Sequence, residues 1–375
     1  MKIVYIALKG IPHCGGIEKY TEEVGARLVE NGHEVIVYSM RHYGTRDKIH
    51  RGMEIRTVPC LKNRSFEKLS ATLIATLYQC LEKDVDIVHF HALGPAIFSF
   101  IPRLMGRKTI VQGHGLEWKR SKWGIIGKKF LKLSEIPSVR FPHTVASVSK
   151  ILKKYMLDSY GINSDYIPTG VNPPKIEKPD LIRQYGLYGN DYIFFASRFV
   201  REKGVHYLIQ AFNQLDTGMK LVIAGNTENE GQYKKELYRM AGRNKNIIFT
   251  GFLTGKILHE FFSNSYLFVL PSETEGLSTV LLEAMSYGNC CLASNIPENL
   301  EAMEDNGYYF RNKDVESLRK KMDYLLKNED AVTIMKERAQ AHVLTEYCWD
   351  RIASDFELLY MNMLAKPSLK DASSP

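Results

Sequence analysis

Two glutamates eight residues apart, Glu275 and Glu283, stand in PSETEGLSTVLLEAMSYGNCCLAS, residues 271–294. Gly276 lies between an expected strand end and a helix expected to begin near Leu277, which puts Glu283 about two turns into that helix. Both carboxylates can then face one cleft. Such a pair suits the hydroxyls of a sugar and a ribose, because an ionised acceptor holds a hydroxyl more strongly than a neutral one, by roughly 1.5–3 kcal/mol. An exposed helical glutamate pair is the plain alternative.

A second group is cationic. In FFASRFVREKGVHYLIQAF, residues 194–212, an expected strand ends at Ser197 and Arg198, and Lys203 and Gly204 follow at a helix start. Cations at the carboxyl end of a strand, beside a helix N-terminus, can clamp a diphosphate where open α/β sheets bind ligands. Taken alone, two such residues equally suit a surface salt bridge. The loop KGIPHCGGIEKY, residues 9–20, joins the first expected strand to a helix, where bare N–H groups favour an anion. Gly15 and Gly16 would allow close backbone approach to a phosphate or simply make a tight turn. Gly10 and Gly15 are spaced as in a P-loop, but Gly16 and Ile17 replace its Lys and Ser or Thr, and G-x-G-x-x-G is absent. A nucleotide triphosphatase and a dehydrogenase are thereby disfavoured.

No metal site is expected. Asp84-Val85-Asp86 matches D-x-D but runs straight into the strand-like Ile87 and Val88. His89 and His91 share one strand face without an evident third ligand, so they read as packing or cleft-lining residues rather than zinc ligands. The six cysteines (Cys14, Cys60, Cys80, Cys290, Cys291, Cys348) show no C-x-x-C and no ligand spacing, and read as reduced, buried thiols.

These groups need a scaffold. Short Val-, Ile- and aromatic-rich runs alternate with helical patterns throughout, which predicts parallel sheets of right-handed βαβ units in two Rossmann-like halves. Strands are expected at 2–8, 34–39, 54–58, 86–90, 108–112 and 143–147, then at 191–196, 219–224, 246–249, 267–270 and 290–293. Helices are expected at 17–30 and 65–81, from 203, 231, 254 and 277, and almost continuously over 314–364 with a break near 328–330. YIPTGVNPPKIEKPD, residues 166–180, with four prolines, is the expected linker. At 375 residues, with 45% hydrophobic and 25% charged, the chain is long enough for two cores. The N-terminal run MKIVYIALKG reads as a first strand rather than a signal peptide, and the apolar stretch 93–105 is too interrupted to span a bilayer. The tail 366–375 reads as frayed.

The net charge of +8 is unevenly spread: residues 1–170 hold 26 Lys and Arg against 15 Asp and Glu, and the remainder 24 against 27. An anionic partner for the first half is one reading, a solvated basic face the other. WKRSKWGIIGKKFLKL, residues 118–133, sets Lys119, Arg120, Lys122, Lys128, Lys129 and Lys132 among Trp118, Trp123, Ile125, Ile126, Phe130, Leu131 and Leu133. That composition suits an interfacial helix on an anionic membrane, or a core helix with solvated lysines.

The region around the glutamate pair resembles the E-x7-E region of retaining glycosyltransferase family 4, whose fold is GT-B. Further family-like motifs follow in order: GGIEKY, DIVHFHA at 86–92, QGHG at 112–115, SRFVREKG at 197–204, VIAGN at 222–226, TGFL at 250–253 and EYCWDRIASDFELLY at 346–360. HGLEWKRSKWG, residues 114–124, resembles a narrower group of bacterial polysaccharide and lipopolysaccharide transferases that includes rhamnosyltransferases, although these often carry Asp where this chain has His114.

The resemblance implies two facing Rossmann-like domains, an acceptor-binding one at 1–168 and a nucleotide-sugar-binding one at 169–345, with a last helix, 346–365, returning to the first. It implies Arg198 and Lys203 on the diphosphate, and Glu283 on the ribose. Glu275, with the backbone of Gly276, Leu277 and Ser278, would take the donor sugar. Gly15 and Gly16 would approach the phosphate, Gly225 would belong to the donor site, His114 would sit at sugar and acceptor, and the backbone near Phe252 and Leu253 would meet the base. Trp118, Lys119, Arg120, Lys128, Lys129 and Lys132 would serve the acceptor or membrane side.

The implied activity is retaining transfer of a hexosyl or deoxyhexosyl unit from a nucleoside-diphosphate sugar, the co-substrate, to a glycan or lipid-linked acceptor. No cofactor or metal is implied, and the enzyme would be cytoplasmic and peripheral at the membrane. A soluble acceptor, or sugar-nucleotide binding without catalysis, is the alternative reading. A phosphorylase lacks its pyridoxal-lysine motif here, and a nucleic-acid-binding protein would leave the glutamate pair without a role.

Overall fold

Runs such as KIVYI, IVHF, YIFFA and LFVL are almost wholly buried, as strands of parallel sheets covered by helices on both faces must be. The computed structural model describes residues 1–13, 15–43, 47–63, 66–119, 123–227 and 231–365. The chain divides into two compact units, Met1–Gly170 with Trp349–Pro375, and Val171–Cys348.

Unit 1 runs β1 (Lys2–Ile6), α1 (Gly16–Glu30), β2 (Glu34–Met40), β3 (Ile49–His50), β4 (Met53–Val58), α2 (Glu67–Cys80), β5 (Ile87–Phe90), α3 (Phe100–Leu104), β6 (Lys108–Gly113), α4 (Ile125–Arg140), β7 (Thr144–Ser147), α5 (Lys150–Tyr160) and β8 (Asp165–Tyr166). The eight strands among the described residues form one sheet in the order β3-β4-β2-β1-β5-β6-β7-β8. All pairs are parallel except β3–β4, a short hairpin whose two turn residues, Arg51 and Gly52, both have positive φ, as a type I′ turn demands.

Unit 2 runs β9 (Tyr192–Ala196), α6 (Val205–Phe212), β10 (Lys220–Ala224), α7 (Gln232–Ala241), β11 (Ile247–Gly251), α8 (Lys256–Ser263), β12 (Leu267–Leu270), α9 (Thr279–Ser286), β13 (Cys290–Ser294), α10 (Pro297–Met303), β14 (Tyr308–Phe310), α11 (Val315–Leu326) and α12 (Glu329–Glu346). Its six described strands are all parallel, in the order β11-β10-β9-β12-β13-β14. The last helix, α13 (Trp349–Ala365), belongs to unit 1. Trp349, Ile352, Ala353, Phe356, Tyr360 and Met363 recur at helical spacing and are buried, and α13 lies along α1. Arg27 Nε donates to Asp350 at 2.5 Å, and His33 Nε2 lies 2.8 Å from Glu357.

Several sequence expectations shift. The first strand stops at Ile6 rather than residue 8, because Ala7 takes a positive φ of 71°. The helices expected from 203 and 277 begin at Val205 and Thr279, since Gly204 is left-handed and Ser278 is extended. The long C-terminal helix has a second break at Tyr347 and Cys348, where Val171 N donates to Tyr347 O at 2.7 Å and pairs with Cys348. That pairing takes a carbonyl out of the helical ladder. Strands β3, β8 and β14 and helices α3, α5 and α10 fall outside the expected set, and the helix expected within 118–133 is α4, running from Ile125 to Arg140. Of the thiols, Cys290 and Cys291 are buried, but Cys60, Cys80 and Cys348 are only partly so, contrary to expectation. Cys14, Ser65, Arg120, Lys122 and the tail 366–375 lie outside the described residues.

Candidate functional site

In unit 2 the strand order reverses between β9 and β12: the chain moves outward from β9 to β11, then returns to lay β12 on the other side of β9. Ligands of open α/β sheets bind beyond the carboxyl ends of strands at such a switch point. The two loops that leave it are residues 197–204 and 271–278, and they carry the predicted cations and Glu275.

These loops are clasped together. Glu273 N donates to Glu202 O at 2.8 Å, and Tyr207 Oη donates to Glu273 Oε1 at 2.9 Å. Gly204, at φ 68°, lets the backbones touch: a β-carbon there would stand 1.9 Å from the Pro271 carbonyl oxygen. Across this contact Lys203 Nζ meets Glu275 Oε1 at 2.5 Å, with side chains only 14% and 8% exposed. Arg198 is different. It is exposed, and its side chain makes no hydrogen bond or ion pair among the described residues. The same loop therefore carries an exposed guanidinium and the lysine of a nearly buried ammonium–carboxylate pair.

Gly276 is half-buried, Leu277 buried, and Ser278 precedes α9 with its amides pointing out of the helix start. The hydroxyls of Ser272 and Ser278 are buried without a hydrogen-bond partner among the described residues. Sequence reasoning passes over Ser272, Glu273 and Tyr207, which carry no motif. Glu283 is half-buried at the fifth position of α9, in the second turn rather than two full turns in. Gly225, at φ 145°, is a second close approach, since a β-carbon would lie 1.8 Å from Ser197 O. Gly225 N donates to Gly251 O at 2.8 Å, which ties the end of β10 to that of β11. Beyond it Phe252 is exposed and Leu253 half-exposed.

Unit 1 has its own switch point, between β1 and β5. Gly15 caps α1 in extended conformation, and Gly16 is exposed with open space where a β-carbon would be. A β-carbon on Gly15 would meet the Glu18 carboxylate at 1.9 Å, and that carboxylate accepts from Lys9 N at 2.9 Å. After β6, the half-buried His114 ring packs edge-on against Tyr20 at 5.0 Å and lies 5.8 Å from His91. The expected lead-in aspartate, Asp86, accepts from Lys2 N at 2.8 Å at the amino end of β5.

His89 and His91 stack at 4.1 Å, both buried, between Tyr5 and the His114 and α13 side, with His89 Nδ1 2.7 Å from Tyr360 Oη. Burial, aided by neighbouring imidazoles, holds both well below the ordinary histidine pKa. They are neutral in the fold and protonated in the unfolded chain below about pH 6.5, so the unfolded state binds more protons and stability is lost as the pH drops through that value. The groups facing them (Tyr5, Tyr20, Tyr360 and His114) offer no carboxylate to offset this. Each histidine is expected to cost up to about 1.4 kcal/mol per pH unit below 6.5. Thermal melts between pH 7.5 and 5 should show it, with a shallower slope in His91→Phe; equal slopes would refute the assignment.

Helix α4 carries the basic, aromatic segment with its polarity inverted. Ile125, Ile126, Phe130, Leu133 and Ile136 face outward, Ile126 by 86% and Leu133 by 67%, whereas Ser134, Glu135 and Ser138 are buried with Leu131 and Val139. Exposed Phe100, Leu104 and Met105 at α3, and Phe141, whose ring lies 5.5 Å from Phe100, add to the apolar surface. Lys129 is exposed and Lys128 partly so. Lys132 does not join them. Its ammonium bonds Tyr155 Oη and Glu135, 5.0 Å from the Trp118 ring, so the expected membrane-side lysine, although 43% exposed, is turned back onto its own unit. Trp118 is half-buried and Lys119 exposed. No described helix is long and apolar enough to cross a membrane.

Two Rossmann-like α/β units with switch-point loops of this kind define the GT-B fold. HepE from Anabaena, solved with UDP and glucose, has the same fold, with a TM-score of 0.79 at 17% identity over 96% of this chain and all of that one. Residues 14–175 match the family model Glycosyltransferase Family 4, and residues 177–342 match Glycosyl transferases group 1. The chain is a glycosyltransferase of the GT-B, family-4 type. It is 25% identical to an uncharacterized glycosyltransferase of Methanocaldococcus jannaschii over 96% of this chain and 98% of that one. It is 24% identical to the UDP-Gal:alpha-D-GlcNAc-diphosphoundecaprenol alpha-1,3-galactosyltransferase of Escherichia coli, over 96% and 94% of the two chains.

Proposed function

We propose that the chain moves a hexosyl or deoxyhexosyl unit from a nucleoside-diphosphate sugar to a lipid-linked glycan, with retention and without a divalent ion, in cell-surface polysaccharide or lipopolysaccharide synthesis. The observation that carries this reading is the exposed Arg198, its side chain unpaired among the described residues, on the switch-point loop of unit 2 that also holds Lys203 of the Lys203–Glu275 pair. As the bond from C1 to the phosphate oxygen breaks, negative charge grows on the diphosphate, and a guanidinium not already neutralised meets it at full strength. Lys203 would reach the same oxygens, and Glu275 would turn to a sugar hydroxyl. The acceptor oxygen bonds C1 on the face the diphosphate leaves, and its proton passes to a leaving phosphate oxygen. Glu283 would hold the ribose. The UDP and glucose in HepE and the diphosphoundecaprenol acceptor named for the Escherichia coli relative support donor and acceptor class.

A screen of UDP-, GDP-, ADP- and dTDP-sugars, read by thermal shift and hydrolysis, tests the donor. A ligand of the native state alone at a hundred times its Kd stabilises it by about 2.7 kcal/mol. No shift and no hydrolysis with any of the four would refute the reading. Turnover should survive EDTA, and loss restored by Mn²⁺ or Mg²⁺ would overturn the metal-free mechanism.

The apolar outer face of α4, with Lys128 and Lys129, supports work at an anionic membrane surface, where each basic side chain adds roughly 1 kcal/mol. Co-sedimentation with anionic liposomes is expected to be salt-sensitive and to weaken when Lys128 and Lys129 become Glu. Leu133→Asp with Ile126→Asp should abolish it, and Lys132→Glu should instead lower thermal stability by stranding the buried Glu135. Wild type that ignores anionic vesicles at low salt would favour a soluble acceptor.

A further inference from the structure

The loops after β2 and β4 and the first turn of α2 bring together three side chains that share no motif: His42, Cys60 and Glu67. The Nε2 of His42 meets the Glu67 carboxylate, and its Nδ1 lies 3.6 Å from Cys60 Sγ. One ligand atom from each residue lies within 4.8 Å of the other two. Imidazole nitrogen, thiolate sulfur and carboxylate oxygen are the donor set of zinc-class ions. Metal–sulfur and metal–nitrogen bonds of about 2.3 and 2.0 Å at a tetrahedral angle set sulfur and nitrogen about 3.5 Å apart, close to the 3.6 Å between Cys60 Sγ and His42 Nδ1.

We propose that His42 Nδ1, Cys60 Sγ and the Glu67 carboxylate bind a zinc-class divalent cation, with water in the fourth position. Glu67, now at the Nε2 edge of the ring, reaches the ion by rotation of its side chain. As the metal–sulfur bond forms, the Cys60 thiol gives its proton to solvent, and the metal keeps its oxidation state. Without a cation the same three groups resemble an acid–base relay, but Glu67 beside Cys60 opposes a bare thiolate. A divalent ion compensates both negative charges.

The surroundings fit a site that binds and releases. Ser70 Oγ accepts from Leu61 N at 3.0 Å and donates to Glu67 O at 3.1 Å, which ties the residue after Cys60 to the first turn of α2. The Tyr43 ring covers one side of His42 at 4.3 Å, while the histidine side chain is 37% exposed and leaves an entry path. Bound metal would pin the ends of β2 and β4 to the start of α2. It takes no part in the transfer step and is independent of the donor reading.

Co²⁺ titrated into the chelator-stripped full-length chain is the probe. Wild type is expected to develop a thiolate-to-cobalt charge-transfer band that saturates at one equivalent. Cys60→Ser should abolish the band, and His42→Ala and Glu67→Gln should each weaken binding at least tenfold. Zn²⁺ should raise the melting temperature of wild type and not of Cys60→Ser. No thiolate band in wild type would overturn the proposal, and so would a band that survives Cys60→Ser, since that would assign it to Cys80 or another thiol. Should Cys60→Ser misfold by circular dichroism, an undiminished band in His42→Ala would be equally fatal.

Discussion

Arg198→Ala is expected to lower kcat/KM by about 10²–10³, the scale of losing one electrostatic contact to a developing negative charge, and to leave the melting temperature unchanged. Its guanidinium is exposed and unpartnered among the described residues, so truncation costs the fold nothing visible. Lys203→Ala should lose as much activity and, unlike Arg198→Ala, stability as well. Removing the ammonium leaves Glu275, 8% exposed, as a nearly buried and uncompensated carboxylate, at a cost of about 3 kcal/mol. The double variant Lys203→Met with Glu275→Gln should recover most of the stability and none of the turnover. Steady-state kinetics and thermal melts on the four proteins check this. Wild-type turnover in Arg198→Ala would remove that residue from the leaving-group site, and equal melting temperatures for both alanine variants would show the ion pair to be inert.

Gly204→Ala should be among the most damaging single-methyl additions in unit 2. Two penalties coincide: a left-handed backbone costs a residue with a β-carbon roughly 1–2 kcal/mol, and the carbon would sit 1.9 Å from the Pro271 carbonyl oxygen. Relief requires backbone movement, so overpacking adds about 1–3 kcal/mol. The displaced segment is the loop that sets Lys203 against Glu275, so the variant should lose donor-dependent thermal stabilisation beyond its lower melting temperature. Gly32→Ala is the control, because its φ of 86° is also left-handed but a β-carbon there meets nothing within 4 Å. Similar destabilisation in both variants would mean that backbone conformation, not the contact with Pro271, is what matters.

Much of the candidate site is legible in the residue pattern alone. Arg198, Lys203, Glu275 and Gly276 lie within runs where a strand pattern gives way to a helix pattern, and side chains at such junctions must sit at the carboxyl edge of a sheet. The pairing of Lys203 with Glu275 is not legible in this way. They are 72 residues apart, and only the return of β12 to the flank of β9 makes their loops neighbours. The inverted polarity of α4 is hidden for a related reason. Lysines, aromatics and aliphatics are all visible, but which of them the helix turns inward depends on Glu135 finding Tyr155, Tyr160 and Lys132 in the fold.

What the sequence determined by itself is therefore the local and periodic part: βαβ units, two halves, and motif residues at strand ends, since each follows from alternation of apolar runs and turns over a few residues. It also carried the amphipathic stripe of α13. What only the tertiary structure decided are contacts between segments far apart in the chain. The positive φ of Ala7 ends β1 early, the bond from Val171 to Tyr347 breaks the last long helix, and the His89–His91 stack is buried against Tyr360. His42, Cys60 and Glu67 meet for the same reason. Long-range contacts of this kind depend on sheet order and on which face each helix buries, and residue spacing along the chain encodes neither directly.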